Sequence, residues 1–394
     1  MYERTLVLSL YGYVLLQSLG LIFEIPNEIN FYLRVFIILM YSYVLISNRI
    51  NFKFKRIQIF LLIFILIYSF RFFSDILIKD ISVSLYEDSY TLIFYAGNIL
   101  FPSLVIISIK RRINFDLLIE LIIKSLILIN TLIIISFALD DSNISQLFIS
   151  RFEIRDILGD KTILNPIVVS SIGAQLALIF ILKSFISFRP YYLIFIVFGL
   201  TNLLLGASRG PAIVFVLLLF LILTIMPRRR KNSLIIYYSR YFIAFPLILF
   251  LFVYFVGFLN NSYDIFLFDR ILTLFEITTG NNSPIEEVRY YQFNCAINDF
   301  YNSPLFGNSF LTSCEFFYPH NIILEILMAL GLIGISLFAI IFKQIFSIIT
   351  KMIKSQNPTF RLLSIIFSFI ILQSLTSGSL FFNISLWIVF CLII

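Results

Sequence analysis

Histidine is almost missing from this sequence: one imidazole, His320, serves 394 residues. Cysteine occurs three times, and charged side chains make up 13% of the chain. There is no HExxH or CxxC metal set, no Walker A loop and no GxSxG elbow. Zinc-peptidase, P-loop nucleotidase and serine-hydrolase chemistries therefore have no sequence support. So little charge also excludes a soluble domain of this length.

What is present is apolar. Hydrophobic residues account for 60% of the chain, and the mean hydropathy is +1.00. Runs long enough to cross a bilayer, about 17–25 residues each, recur from end to end. Only helices and closed barrels satisfy their backbone in lipid, and barrel strands would alternate apolar with polar residues. Runs such as FVLLLFLILTIM are continuously apolar, so the expected class is an all-α polytopic membrane protein. The first run, TLVLSLYGYVLLQSLGLIF, is too long for a signal peptide and lacks a small-residue cleavage site, so it reads as a retained span.

A ruler of about 20 residues per span gives about twelve spans in a single transmembrane domain over 1–394. They fall at 5–23, 30–47, 57–73, 90–109, 117–139, 165–183, 190–207, 211–226, 234–258, 321–342, 362–376 and 380–394. The net charge of +7 is topology and not a nucleic-acid footprint, because most lysines and arginines sit in every second short loop. These loops are NRINFKFKR, KRR at 110–112, Lys183–Arg189, PRRRK at 227–231 and Lys343–Arg361. The positive-inside rule makes them cytoplasmic, with both termini on that side of the membrane. Two features then face outward. One is the tight hairpin GASRGP at 206–211. The other is a large loop at 259–320, between the ninth and tenth spans, long enough to be functional. Its regularly spaced Phe, Tyr and Leu suggest that it folds back on the membrane.

The candidate residues lie on that outward side. Arg209 sits between two apolar runs, where an arginine costs about 2.5–3.5 kcal/mol at mid-bilayer and less at the interface. The plainer reading is an interfacial anchor, although such anchors favour the cytoplasmic face. Arg151, Arg155, Arg270 and Arg289 are further outward arginines. Singly each reads as a solvated residue, but together they suit a diphosphate, because guanidinium binds phosphate oxygens as a bidentate fork. His320 follows Pro319 and precedes Asn321, a fair N-cap for the run IILEILMALGLIG. A helix N-terminus disfavours imidazolium and leaves a neutral ring able to accept a proton. A structural hydrogen-bonder is the competing reading. Asp140 and Asp141 read more readily as a polar span terminus than as a cation site. Lys124 and Glu325 are the few charges at mid-span. Cys295 and Cys314 share the large loop and could pair in an oxidising compartment, with two unpaired thiols the plainer expectation.

Four stretches carry a family resemblance: LLGASRGPAIVF, PHNIILEILMALGLIG, RYYQFNCAINDFYNSPLFGNSF and LNPIVVSSIGAQLAL. Over roughly 150–345 the chain resembles the O-antigen polymerase and O-antigen ligase superfamily. The resemblance implies a GT-C-like glycosyltransferase architecture with a large periplasmic loop. It implies an undecaprenyl-diphosphate-linked oligosaccharide as donor, no metal, no other cofactor, and an inverting transfer. By motif it maps the family's functional residues onto Arg209, Arg289 and His320, and less directly onto Arg151, Arg155 and Arg270. Asn165 and Gly307 also match. A polymerase of surface polysaccharide, with a chain-length regulator as a candidate partner, is favoured over a ligase to lipid A core. A lipid-linked sugar flippase is a distant third.

Overall fold

The computed structural model describes residues 1–23, 29–47, 55–79, 88–109, 112–139, 154–155, 162–225, 284–314 and 317–394. The described residues are helical throughout, apart from one short ribbon. Before the ribbon come α1 (Tyr2–Phe23), α2 (Ile29–Ser47), α3 (Arg56–Leu77), α4 (Asp88–Tyr95), α5 (Phe101–Ile109) and α6 (Phe115–Leu139). A π-turn, Ala96–Leu100, joins α4 to α5. In the ribbon, β1 (Ile154–Arg155) pairs antiparallel with β2 (Thr162–Leu164). Then follow α7 (Pro166–Ile186), α8 (Tyr192–Leu205), α9 (Arg209–Ile225), α10 (Pro284–Asn302), α11 (Ile322–Lys354), α12 (Pro358–Ser377) and α13 (Ile384–Ile393).

Eleven of the twelve segments expected to span fall on these helices, and the ninth, 234–258, lies outside the described residues. Among the described residues, six helical stretches have the length and apolarity to cross a membrane, and four apolar helices are shorter. The chain is thus a multi-pass helical membrane protein.

Lipid tails are as apolar as leucine, so helices in a bilayer associate through close packing and buried polar contacts. Both are present. A Cβ on Gly173 of α7 would lie 2.5 Å from the Gly199 carbonyl oxygen of α8, so the two backbones touch. Asn202 of α8 donates from Nδ2 to Asn130 Oδ1 of α6 at 2.7 Å, and Asn130 Nδ2 donates to the Ile172 carbonyl of α7 at 3.3 Å. A second core is aromatic. Phe72 stacks on Tyr95 at 4.1 Å and meets Phe310 and Phe381, beside the fully buried Trp387.

The two ends of the bundle differ. At one end Glu3 accepts from Asn114 N at 2.7 Å, and the Asp116 carboxylate accepts from Thr359 Oγ1. The N-terminus, the α5–α6 loop and the α11–α12 loop therefore share an end with Arg112, Lys351 and Lys354. Lys124 lies on an exposed face of α6, paired with Glu120 at 2.6 Å. Both are within about two and a half turns of the helix start, near enough for the lysine to snorkel toward that basic end.

α11 departs most from expectation. It runs to Lys354, beyond the expected 342, and it is broken at Gly331, where φ is 61° and ψ is −153°. The segment after α10 fills the break. Leu332 N donates to the Pro304 carbonyl at 2.8 Å, Ile333 N to Leu305 at 3.3 Å, and Asn308 N to the Met328 carbonyl at 2.7 Å. Backbone groups freed by the break are thus satisfied by protein, as lipid surroundings require. Only glycine fits at this position. A Cβ there would lie 2.5 Å from Leu305 C, in a conformation that side chains rarely adopt.

Candidate functional site

Opposite the basic end, two turns come to rest on one helix terminus. The first joins α8 to α9. Gly206 N donates to the Asn202 carbonyl at 3.1 Å, Ala207 takes a positive φ of 42°, and Ser208 N donates to Ser170 Oγ at 3.2 Å. α9 then opens with Arg209, half-buried. A cation at a helix N-terminus opposes the helix dipole, so Arg209 is not there for the helix's sake. A guanidinium is a group suited to bind an anion. The next residue, Gly210, lies against the end of α12, where an added Cβ would stand 2.8 Å from Thr376 Oγ1 and 2.9 Å from Ser377 Oγ.

The second turn carries His320. Asn321 caps α11, its Oδ1 accepting from Ile323 N at 2.9 Å and Leu324 N at 3.2 Å. Its Nδ2 donates to the Leu375 carbonyl at 2.9 Å. Gly210 and Asn321, the chain neighbours of Arg209 and His320, therefore border the same three residues, Leu375–Ser377. His320 has a φ of 54°, the left-handed region that few non-glycine residues occupy. Such strain, about 1–3 kcal/mol, persists only where the surroundings enforce it, and it clusters at functional sites. Here the surroundings are rings. Tyr318 meets the imidazole edge-on at 4.4 Å, Phe317 lies at 5.6 Å, and Phe382 packs on Tyr318 at 5.3 Å.

One turn into α11, Glu325 is fully buried. Its carboxylate accepts from Tyr68 Oη at 3.1 Å, Ser379 Oγ at 3.3 Å and Leu380 N at 2.8 Å. It thereby fixes the turn after α12 that presents Phe382 to Tyr318. A buried carboxylate in a membrane helix survives only with such donors.

α10 and the segment after it form the third part. Cys295 and Cys314 are joined by a disulfide, with Cα atoms 6.1 Å apart, so the pair is bonded where two thiols were the plainer expectation. Asp299, fully buried, accepts from Asn308 Nδ2 at 3.1 Å and Ser313 N at 2.9 Å. Arg71 of α3 donates to the carbonyls of Phe306, Gly307, Asn308 and Ala329 at 2.8–3.0 Å. Asp75 accepts from Phe310 N at 2.8 Å and pairs with Lys79 at 3.0 Å.

Among the expected site residues, Arg209 and His320 lie on turns that reach the same end of α12. Arg289 lies on α10, the helix that the disulfide ties to residue 314, six positions before His320. Arg155 lies in β1, paired with the strand that leads into Asn165. Asn165 caps α7, accepting from Ile167 N at 2.8 Å, and Gly307 sits at the break in α11 with a φ of 76°. Both are structural. Arg151, Arg270, Asp140 and Asp141 lie outside the described residues. Sequence reasoning missed Arg71 and Asp75. Their signal was an i,i+4 charge pair near the end of an apolar helix.

Residues 194–339 match a family model described as O-antigen ligase. No curated protein and no solved structure matches the chain. The matched stretch covers less than half of the chain but takes in the Arg209 turn, α10, the disulfide and the His320 turn, while Arg151 and Arg155 precede it. Over residues 194–339 the chain is thus similar to the O-antigen ligase family, which is consistent with the O-antigen polymerase and ligase superfamily.

Proposed function

We propose that this protein is a glycosyltransferase of the bacterial plasma membrane that polymerises O-antigen or a related surface polysaccharide. The donor is a glycan on undecaprenyl diphosphate, the acceptor is the end of another lipid-linked repeat unit, and the reaction occurs at the periplasmic face within a GT-C-like fold. The observation that carries this reading is the meeting on Leu375–Ser377 of the Arg209 and His320 turns, both of which lie within the matched residues 194–339.

The chemistry follows from the residue types. The acceptor hydroxyl oxygen attacks the anomeric carbon, and the bond from that carbon to the diphosphate oxygen breaks. His320 takes the hydroxyl proton, which is general-base catalysis of about 10²–10⁴-fold. Undecaprenyl diphosphate leaves with the bonding electrons. Arg209 and Arg289 meet its growing charge, joined by Arg270, Arg151 and Arg155, so the step needs no metal. A single displacement inverts the anomeric configuration. A chain-length regulator is the partner such a polymerase would take.

The test is a gel of lipopolysaccharide from a deletion strain carrying either the wild-type gene or His320→Ala. Core bearing one repeat unit, in the deletion and in the variant, is expected. Bare core with long glycan held on the lipid carrier would assign the ligase reaction, the activity for which the matched family is described. Repeat units trapped on the inner leaflet would overturn both and indicate a transporter.

A further inference from the structure

The turn joining α12 to α13, residues 378–383, lies beyond the matched stretch. Fully buried polar side chains from four elements hold it. Glu325 of α11 accepts from Ser379 Oγ at 3.3 Å and Leu380 N at 2.8 Å. Asn98 of the π-turn donates to the Phe381 carbonyl at 3.1 Å. Trp387 Nε1 of α13 donates to the Leu380 carbonyl at 2.7 Å, and Ser374 Oγ of α12 accepts from Asn383 Nδ2 at 2.7 Å. A carboxylate is the costliest of these groups to bury in a membrane helix. The turn carries two rings. Phe381 is buried in the aromatic core, and Phe382, edge-on to it at 4.6 Å, is half-buried and leaves that core. Phe382 packs on Tyr318 at 5.3 Å, and Tyr318 meets the His320 imidazole at 4.4 Å.

We propose that Phe382 is a positioning residue for His320 and that Glu325 is the anchor that keeps Phe382 in place. The inference rests on the reading of His320 as the base. The Asn321 cap and the left-handed φ of His320 fix its backbone. They leave the two side-chain torsions of the imidazole to its neighbours. Tyr318 limits those torsions edge-on, and Phe382 backs Tyr318 from a distant part of the chain. A general base must stand within hydrogen-bond reach of the hydroxyl it serves, so the plane of this ring matters to the transfer. Glu325 acts through two contacts, Phe382 and then Tyr318. Its carboxylate takes three donors, whereas an amide has one acceptor oxygen and would turn its own N–H groups toward a donor. Glu325→Gln therefore loosens the turn without changing side-chain size.

The sequence has one histidine, so 15N-histidine labelling of the full chain, purified on a histidine-free tag into nanodiscs, reports His320 alone. The two ring-nitrogen signals of Phe382→Ala and Glu325→Gln are expected to move away from those of wild type. Phe382→Tyr keeps the ring and should restore them. Phe360→Ala removes a half-buried ring packed on Phe115 at the basic end and should leave them in place. With the cell's own lipid-linked repeat unit as substrate, Phe382→Ala should lower kcat about tenfold or more and leave KM within twofold. Unmoved His320 signals in Phe382→Ala overturn the proposal. So do equal shifts in Phe382→Tyr or Phe360→Ala, which would mark a general loosening of the bundle, and so does a loss confined to KM. The Phe382 variants carry the test if Glu325→Gln fails to fold. If His320→Ala stops transfer while Phe382→Ala matches wild type in spectrum and rate, the positioning role alone falls. If His320→Ala transfers at the wild-type rate, the base reading falls, and the role built on it falls too.

Discussion

Arg71 enters the helix bundle on α3 and gives its guanidinium to backbone carbonyls of a segment some 235 residues later. Five donors in a planar fork make this possible, and a lysine ammonium could not span the same set. Four carbonyls and the buried Asp75 carboxylate depend on it. Arg71→Ala should therefore cost about 3–5 kcal/mol, the usual penalty for breaking a buried pair from one side. Arg71→Lys should recover only part of it. Heating the detergent-solubilised protein with a thiol-reactive dye would read this, since Cys391 is buried and is the one cysteine outside the disulfide. An unchanged unfolding temperature would show that the contacts contribute nothing. At the same scale, sequence reasoning found Glu325 as a rare mid-span charge, but its partners are 257 and 54 residues away. Neither partner has a local signature.

Among the elements, α10 combines the most constraints. Its inward face is covalently held, and a disulfide closing a loop of this size, with a separation of 19, stabilises by about 3 kcal/mol. Alkylation of the denatured protein without reductant should consume one thiol, and with reductant three. Three thiols without reductant would mean that the bond does not form. Cys295→Ser should lower the unfolding temperature, and reductant should then have no further effect. α11 shows the converse. Its apolar run implied one unbroken span, and only the neighbouring Pro304–Asn308 segment explains why Gly331 interrupts it. A glycine within an apolar run is tolerated in many helices, so the break left no readable mark.

For the molecule as a whole, the positive-inside rule predicts that the basic loops are cytoplasmic. The hydrogen bonds at Glu3 and Asp116 gather two of those loops and the N-terminus at one end. On intact cells, a membrane-impermeant thiol reagent should label Tyr301→Cys and should label Lys354→Cys only after permeabilisation. The reverse pattern would invert the topology and remove the periplasmic site.

The amino-acid sequence by itself determined the membrane class and the positions of most helices. In lipid each helix must satisfy its own backbone, so length and apolarity are written locally in runs such as IILEILMALGLIG. The Asn321 cap was equally local, since a cap bonds within three residues. The tertiary structure alone decided what meets what. It brought the turns that carry Arg209 and His320 to Leu375–Ser377, paired Cys295 with Cys314, set Glu325 between Tyr68 and Ser379, and pressed the 304–308 segment into α11. Each of these contacts joins residues far apart in the chain. Between nearly uniform apolar helices, small residues and single polar side chains select the partner, and only packing in three dimensions shows which one they select.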